Sequence, residues 1–312
     1  VISYEPMLAV PWPAPFDDPA WWFEVKWDGV RVLVEAEPGR VRLRSRSGRD
    51  MTATYPELTG SVVDRPTVLD GEIIAFDSGG IPSFGALQSR MNATRPVAGT
   101  PVSLVVFDLL HHGQPLIGLP IEERWERLAS LDLPGVVRSE PVRENGLALF
   151  EAAEGLGIEG IVAKRAASTY QPGRRSPDWR KVPIRRRTKA LVGGFTPGEG
   201  GRSASFGALQ LGLWHEGRLR YVGGVGTGFD EVSLIRIRQT LDQLGGEPVA
   251  VRGDWPPGTR FVLPVLVAVV EYLNWTSGGR LRGPAFVGFG DDDPEDITWR
   301  SEGPGDIGEP TG

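Results

Sequence analysis

The chain carries its positive charge on thirty arginines and only four lysines, Lys26, Lys164, Lys181 and Lys189. A guanidinium is effectively never deprotonated, whereas a lysine that is partly desolvated or beside another cation can shed its proton and attack as a nitrogen nucleophile. Lys26 opens the run Lys26-Trp27-Asp28-Gly29-Val30-Arg31 and is the first candidate for such chemistry. Read at period two, Trp22 to Asp28 is a strand with Phe23, Val25 and Trp27 on one face and Glu24, Lys26 and Asp28 on the other. Gly29 then permits a turn or a close backbone approach, and Arg31 supplies a fixed cation able to grip a phosphate or ribose oxygen.

Further along, Asp70 and Glu72 share one face of a strand, a pattern suited to a hard cation with oxygen ligands. Glu159 adds a carboxylate, and Phe107 offers an aromatic face on which a base could stack. Two basic sets stand out. Arg40, Arg42, Arg44 and Arg46 alternate along a strand, which puts four guanidinium groups on one face, and Arg174, Arg175, Arg180, Lys181, Arg185, Arg186, Arg187 and Lys189 face only Asp178. The net charge of −6 conceals them, because residues 1–190 hold 24 basic and 24 acidic side chains and the acidic excess lies in the rest. Local basic stripes on a weakly acidic chain suit a polyanion bound at one surface.

The elements that must position these groups read as two domains. The first two-thirds alternates strands (Val68 to Phe76, Val102 to Leu110) with amphipathic helices (Ile121 to Leu131, Leu147 to Leu156). After the basic run come short strands around Leu191, Gly207, Leu219 and Phe261, with one helix from Glu231 to Leu244, a pattern that suits an OB-type β-barrel. The expected division is 1–189, 190–300 and a flexible tail at 301–312, with a hinge between Arg185 and Ala190. The absence of cysteine excludes disulfides and thiolate zinc sites. The longest apolar stretch, Phe261 to Val270, is broken by Pro264, so no membrane span is expected, and a cytoplasmic, nucleoid-associated protein is.

The order of these pieces resembles the covalent nucleotidyltransferase superfamily of ATP-dependent DNA ligases, RNA ligases and mRNA capping enzymes. Within it the chain is most similar to small bacterial ATP-dependent DNA ligases related to the ligase module of end-joining repair proteins. Glu24 to Arg31 resembles the nucleophile motif and Ser45-Arg46-Ser47-Gly48-Arg49-Asp50 the element that holds the nick phosphate. Asp70-Gly71-Glu72, Phe107-Asp108, Glu159 to Lys164, and Lys181 resemble the motifs that follow, in family order. The resemblance implies an α+β fold, an adenylylation domain followed by an OB-fold domain. It implies that Lys26 attacks the α-phosphate of ATP to form lysyl-AMP, that AMP passes to the 5′-phosphate of nicked double-stranded DNA, and that the 3′-hydroxyl then seals the strand. Glu24, Arg31, Glu72, Phe107, Lys164 and Lys181 would bind ATP or AMP, Arg46 and Arg49 the DNA phosphate, and Glu72 and Glu159 Mg²⁺ or, in its place, Mn²⁺. A repair polymerase is the implied partner. Three positions depart from the family pattern: Pro183 stands where relatives have a second lysine, and Gly290 and Asp293 where an arginine and a lysine flank an acidic pair. An RNA ligase, a capping guanylyltransferase, or a nick-binding protein that no longer adenylylates itself are the alternatives; Trp27 and Ser45 to Gly48 favour the DNA ligase.

Overall fold

The computed structural model describes residues 2–60, 63–76, 80–82, 84–91, 100–245, 250–276 and 278–304. The chain divides into two units after Ile184. In the first, β1 (Leu8–Pro11), β2 (Asp18–Val25), β3 (Val30–Glu37), β4 (Arg40–Ser45) and β5 (Thr67–Ala75) precede helix α1 (Phe84–Met91). Strand β6 (Val102–His112), helix α2 (Ile121–Ser130), β7 (Val136–Arg138), β8 (Val142–Glu144), helix α3 (Gly146–Gly155), β9 (Gly160–Arg165) and β10 (Arg175–Pro183) complete it.

These strands form two five-stranded sheets, ordered β1-β10-β9-β2-β8 and β4-β3-β5-β6-β7. Val32, Leu33 and Val34 are all buried, so β3 is covered on both faces, and its alternation is correspondingly weak in sequence. Phe107, Leu33 and Val68 of one sheet pack with Trp179 of the other, and with Met7 just before β1, in a shared apolar cluster. The outer face of the β2–β9 sheet is covered through Ala153 of α3, and that of the β3–β6 sheet through Leu87 of α1 and Leu128 of α2. One turn of α2 also buries Arg124, whose guanidinium grips Asp108 at 2.7 and 2.8 Å.

The second unit holds β11 (Arg186–Pro197), β12 (Phe206–His215), β13 (Arg218–Val225), α4 (Glu231–Gln243), β14 (Val251–Arg252), β15 (Arg260–Phe261), β16 (Val267–Tyr272), β17 (Ala285–Gly290) and α5 (Trp299–Glu302). The hairpin between β12 and β13 turns through Glu216 (φ 50°) and Gly217 (φ 73°), the left-handed pair of a two-residue turn. Asp230 caps α4 by accepting from the Ser233 backbone N–H at 2.6 Å. Among the described residues the strand order β14-β13-β12-β11-β16-β17, with β15 beside β11, is an open path and not a closed barrel.

Two expectations change here. The first domain is expected to end at 189, with a hinge at 185–190: Arg186 to Leu191 instead pair with β16, and the division of the chain falls at Ile184–Arg185. The expected tail is partly structured, since Glu302 in α5 accepts from the Thr188 hydroxyl at 2.9 Å and the Lys189 N–H at 3.0 Å; beyond residue 304 the tail lies outside the described residues.

Candidate active site

The side chains picked out by type converge on one cleft in the first unit. Glu24, Lys26, Arg31, Arg46, Glu72, Phe107, Lys164 and Lys181 all line one solvent-open cavity. Glu159 joins them through Lys26, whose Nζ lies 2.5 Å from Glu159 Oε2. Arg49 does not line it; its backbone closes the turn after β4 by accepting from Ser45 N at 2.8 Å and donating to Ser45 Oγ at 3.0 Å.

The position of Lys26 is set by backbone. Strand β2 ends at Val25, and the Lys26 N–H donates to the Gly160 carbonyl at 2.8 Å. The alternation expected through Asp28 therefore stops one residue before the lysine; Trp27 lines the cleft and ties its Nε1 to Ser139 Oγ at 3.2 Å, while Asp28 is buried away from it. Gly29 serves close approach rather than a left-handed turn, because a Cβ there would meet the Ile73 carbonyl at 2.2 Å and Glu72 Cγ at 2.9 Å. Gly160 does need its freedom: its φ is 145°, and a Cβ would meet the Val182 carbonyl at 2.3 Å. On a regular strand Glu159 and Lys164, five residues apart, would face opposite ways. Glu159 instead precedes β9, outside the strand's alternation, and meets Lys26 while Lys164 lines the cleft.

Each wall has its own electrostatics. Lys164 is buried, with Nζ 2.6 Å from Glu24 Oε1 and 3.3 Å from the Phe107 carbonyl, and it sits 4.5 Å from the Phe107 ring centroid and 4.7 Å from that of Trp179. Burial pushes the Glu24 carboxyl up despite Lys164 beside it. Arg31 grips Asp70 in a fork, Nε to Oδ1 at 2.9 Å and Nη2 to Oδ2 at 2.6 Å, and its Cζ lies 5.3 Å from the Phe107 ring. Asp70 is thus an anchor for Arg31, which corrects the reading of Asp70 with Glu72 as a paired cation site. Glu72 accepts no hydrogen bond from a described side chain, and burial pushes its carboxyl up to about 8. Lys181 is lowered by burial and then by the charges of Lys26 and Arg175.

The arginine stripe of β4 is not a free face either. Arg42 pairs with Asp50 at 2.9 Å and Arg44 with Glu35 at 2.7 Å, which leaves Arg46 as the member that reaches the cleft. Arg180, one residue from Lys181, points the opposite way, its Cζ 3.7 Å from the Trp12 ring centroid and 4.2 Å from that of Trp21. Sequence reasoning missed Arg175 and Trp179 as cleft residues. Both share parity with Lys181 on β10, so alternation would have found them had the basic run been read as a strand.

A metal finds a partial protein site. Among the described residues no three His, Cys, Asp or Glu side chains are placed to hold one. Glu72 and Glu159 fit the habit of Mg²⁺, which takes one or two carboxylates and draws its other ligands from water and substrate phosphates.

The arrangement sets a lysine ion-paired to a glutamate beside an aromatic wall, a second buried carboxylate and cations, Arg46 and Lys181, that have no ion pair among the described residues. The chain belongs to the ATP-dependent DNA ligases, matching the family described as "ATP dependent DNA ligase domain" over residues 6–182 and "ATP dependent DNA ligase C terminal region" over 202–293. It is 38% identical, over 95% of its length, to the multifunctional non-homologous end joining protein LigD of Mycolicibacterium smegmatis, of which it covers 40%. It is 36% identical to the SPbeta prophage-derived DNA ligase-like protein LigB of Bacillus subtilis, over 61% of this chain and 71% of that one. Among solved structures it is similar to the ligase domain of Mycobacterium tuberculosis LigD (37% identity, TM-score 0.57) and to mycobacterial DNA ligase D complexed with ATP and MES (36%, 0.56), each over 95% of this chain and 98% of the other. The chain spans about two-fifths of the length of the LigD protein from M. smegmatis. No helix among the described residues is long and apolar enough to cross a membrane.

Proposed function

We propose that the chain seals 5′-phosphate/3′-hydroxyl nicks in duplex DNA through a covalent AMP on Lys26. The observation that carries this is Lys26 itself, fixed by its backbone bond to Gly160 and facing a cleft with Phe107 and Trp179 on one side and Arg46, Arg175 and Lys181 on another. Lys26 must leave its ion pair with Glu159 and give up a proton before its lone pair can attack the α-phosphate of ATP and expel pyrophosphate. Phe107 would stack on adenine, Arg31 would hold ribose or phosphate from its Asp70 anchor, and Lys181 would neutralise charge on the α-phosphate. AMP then passes to the 5′-phosphate of the nick, held by Arg46 with Arg49 on the turn beside it, and the 3′-hydroxyl displaces AMP. Glu72 and Glu159 would hold Mg²⁺ or Mn²⁺, which would add charge neutralisation at the transferring phosphate.

The departures redistribute the cations. Asp292 is occupied by Lys189 at 2.5 Å, and Asp293 caps a short turn by accepting from Glu295 N at 2.9 Å. With Gly290 and Pro183 also uncharged, the polyphosphate falls to Arg46, Arg175 and Lys181. We place the activity in end-joining repair on the strength of the LigD likeness, with a repair polymerase as partner and the cytoplasm at the nucleoid as location. The test is conversion of a 5′-labelled nicked duplex to a full-length strand with ATP and Mg²⁺. Sealing of a DNA nick is expected; sealing confined to an RNA nick, or dependence on GTP, would replace this reading with an RNA ligase or a guanylyltransferase.

A further inference from the structure

Below the cleft lies a buried polar chain that the reaction scheme does not use. The Tyr170 hydroxyl donates to Asp70 Oδ2 at 2.6 Å, the oxygen that also accepts from Arg31 Nη2, and it accepts from the Met7 backbone N–H at 2.9 Å. Asp70 is fully buried and Tyr170 nearly so, and the Tyr170 ring meets Trp179 edge-on at 5.8 Å between centroids. The phenol thus touches three things at once: the carboxylate that aims Arg31, an aromatic wall of the cleft, and the residue just before Leu8 and Ala9, which line the cleft's other side.

We propose that Tyr170 is a positioning residue for the ATP site, holding Asp70 so that the Arg31 fork stays aimed into the cleft and tying the β1 segment to that same anchor. The inference deepens the ligase reading and rests on it. The physical reason is the carboxylate's two tasks. The Arg31 fork already engages both Asp70 oxygens, and the phenol adds a second donor at Oδ2; without the phenol the carboxylate is held by the fork alone, and Asp70 and Arg31 can shift together. With one of its two donors gone, Oδ2 depends on Arg31 alone, which draws the guanidinium inward and away from a ligand. Burial and the adjacent Asp70 push the phenol well above its ordinary range, so it remains a donor throughout neutral pH.

The experiment compares lysyl-AMP formation against ATP concentration in the whole chain, Tyr170→Phe, Arg31→Ala and the double variant, with the rise in Tm on adding ATP as a second readout. Tyr170→Phe keeps the ring against Trp179 and removes only the hydroxyl. Expected is a roughly tenfold rise in the ATP concentration for half-maximal rate, in keeping with loss of one charge-assisted hydrogen bond, with the maximal rate within about twofold, and less than about twofold further effect in the Arg31→Ala background. An unchanged half-saturation, or an equal further loss without Arg31, would overturn the proposal. Should Tyr170→Phe lower basal stability, the ATP-dependent rise in Tm still reads affinity by mass action, and a rise as large as wild type's counts against the role. A parent chain that takes no label would overturn the ligase reading itself; the ATP-dependent Tm series would then still decide the Tyr170 role.

Discussion

At the scale of single residues, the cleft sets internally neutralised charges beside charges with no ion pair among the described residues: Lys164 pairs with Glu24, both buried and 2.6 Å apart, Lys26 with Glu159 and Arg31 with Asp70, whereas Glu72, Arg46 and Lys181 have none. Lys164→Met should cost about 3–5 kcal/mol of stability by leaving the Glu24 carboxylate unpaired in the interior, and denaturant unfolding at neutral pH measures it. Glu72 is the opposite case, a carboxyl raised to about 8 by burial. Because its folded pKa lies above its unfolded one, the folded state binds the proton more tightly. Its contribution to stability is therefore full below the ordinary carboxylate range and is lost as pH rises toward 8. Glu72→Gln should flatten the fall in stability across that interval, seen as a Tm that varies less between pH 5 and 8. On the proposal that Glu72 holds Mg²⁺, the same proton would have to leave first, so apparent metal affinity should climb over the same window in the parent chain and not in the variant.

At the scale of elements, strands place the site and glycines permit it. Gly160→Ala would force a side chain into a φ of 145° and against the Val182 carbonyl, and Gly160 is also the acceptor for the Lys26 N–H. A loss of about 3 kcal/mol in unfolding free energy is expected, with adenylylation falling further than the folded fraction does. The Lys26 motif, Glu72, Phe107 and Glu159 were legible because each pairs a chemically unusual residue with a short local pattern. Strand β10 was not: it lies within the longer basic run from Arg174 to Lys189, so a face made by Arg175, Trp179 and Lys181 reads as part of a charge run. The pairing of Arg42 and Arg44 with Asp50 and Glu35 was hidden for a related reason. Period-two spacing says which side chains share a face and nothing of the carboxylates the adjoining strand and turn bring to it. Tyr170 lies a hundred residues from Asp70 in sequence, and no local pattern announces that contact.

At the scale of the whole molecule, the chain is two units joined at Ile184–Arg185. Arg186 and Arg187 are already paired with Tyr272 and Glu271, and Thr188 and Lys189 are tied to Glu302, so the residues just before β11 are where a hinge is proposed. Limited trypsin digestion should cut first after Arg185, and nicked DNA should slow the cut; identical digestion with and without DNA would count against a hinge there. Binding to nicked duplex should weaken with salt, and Arg46→Ala should lower the slope of log affinity against log salt by about one, as removal of one phosphate contact requires. The central claim is a covalent AMP on Lys26, and the direct measurement is transfer of α-labelled ATP to the purified chain and to Lys26→Ala, after pyrophosphate has stripped any AMP already bound, followed by a chase with nicked DNA. Label that requires Lys26 and leaves when the nick is added is the predicted result. A stripped parent chain that takes up no label, or a Lys26→Ala chain that takes it up equally, would contradict it.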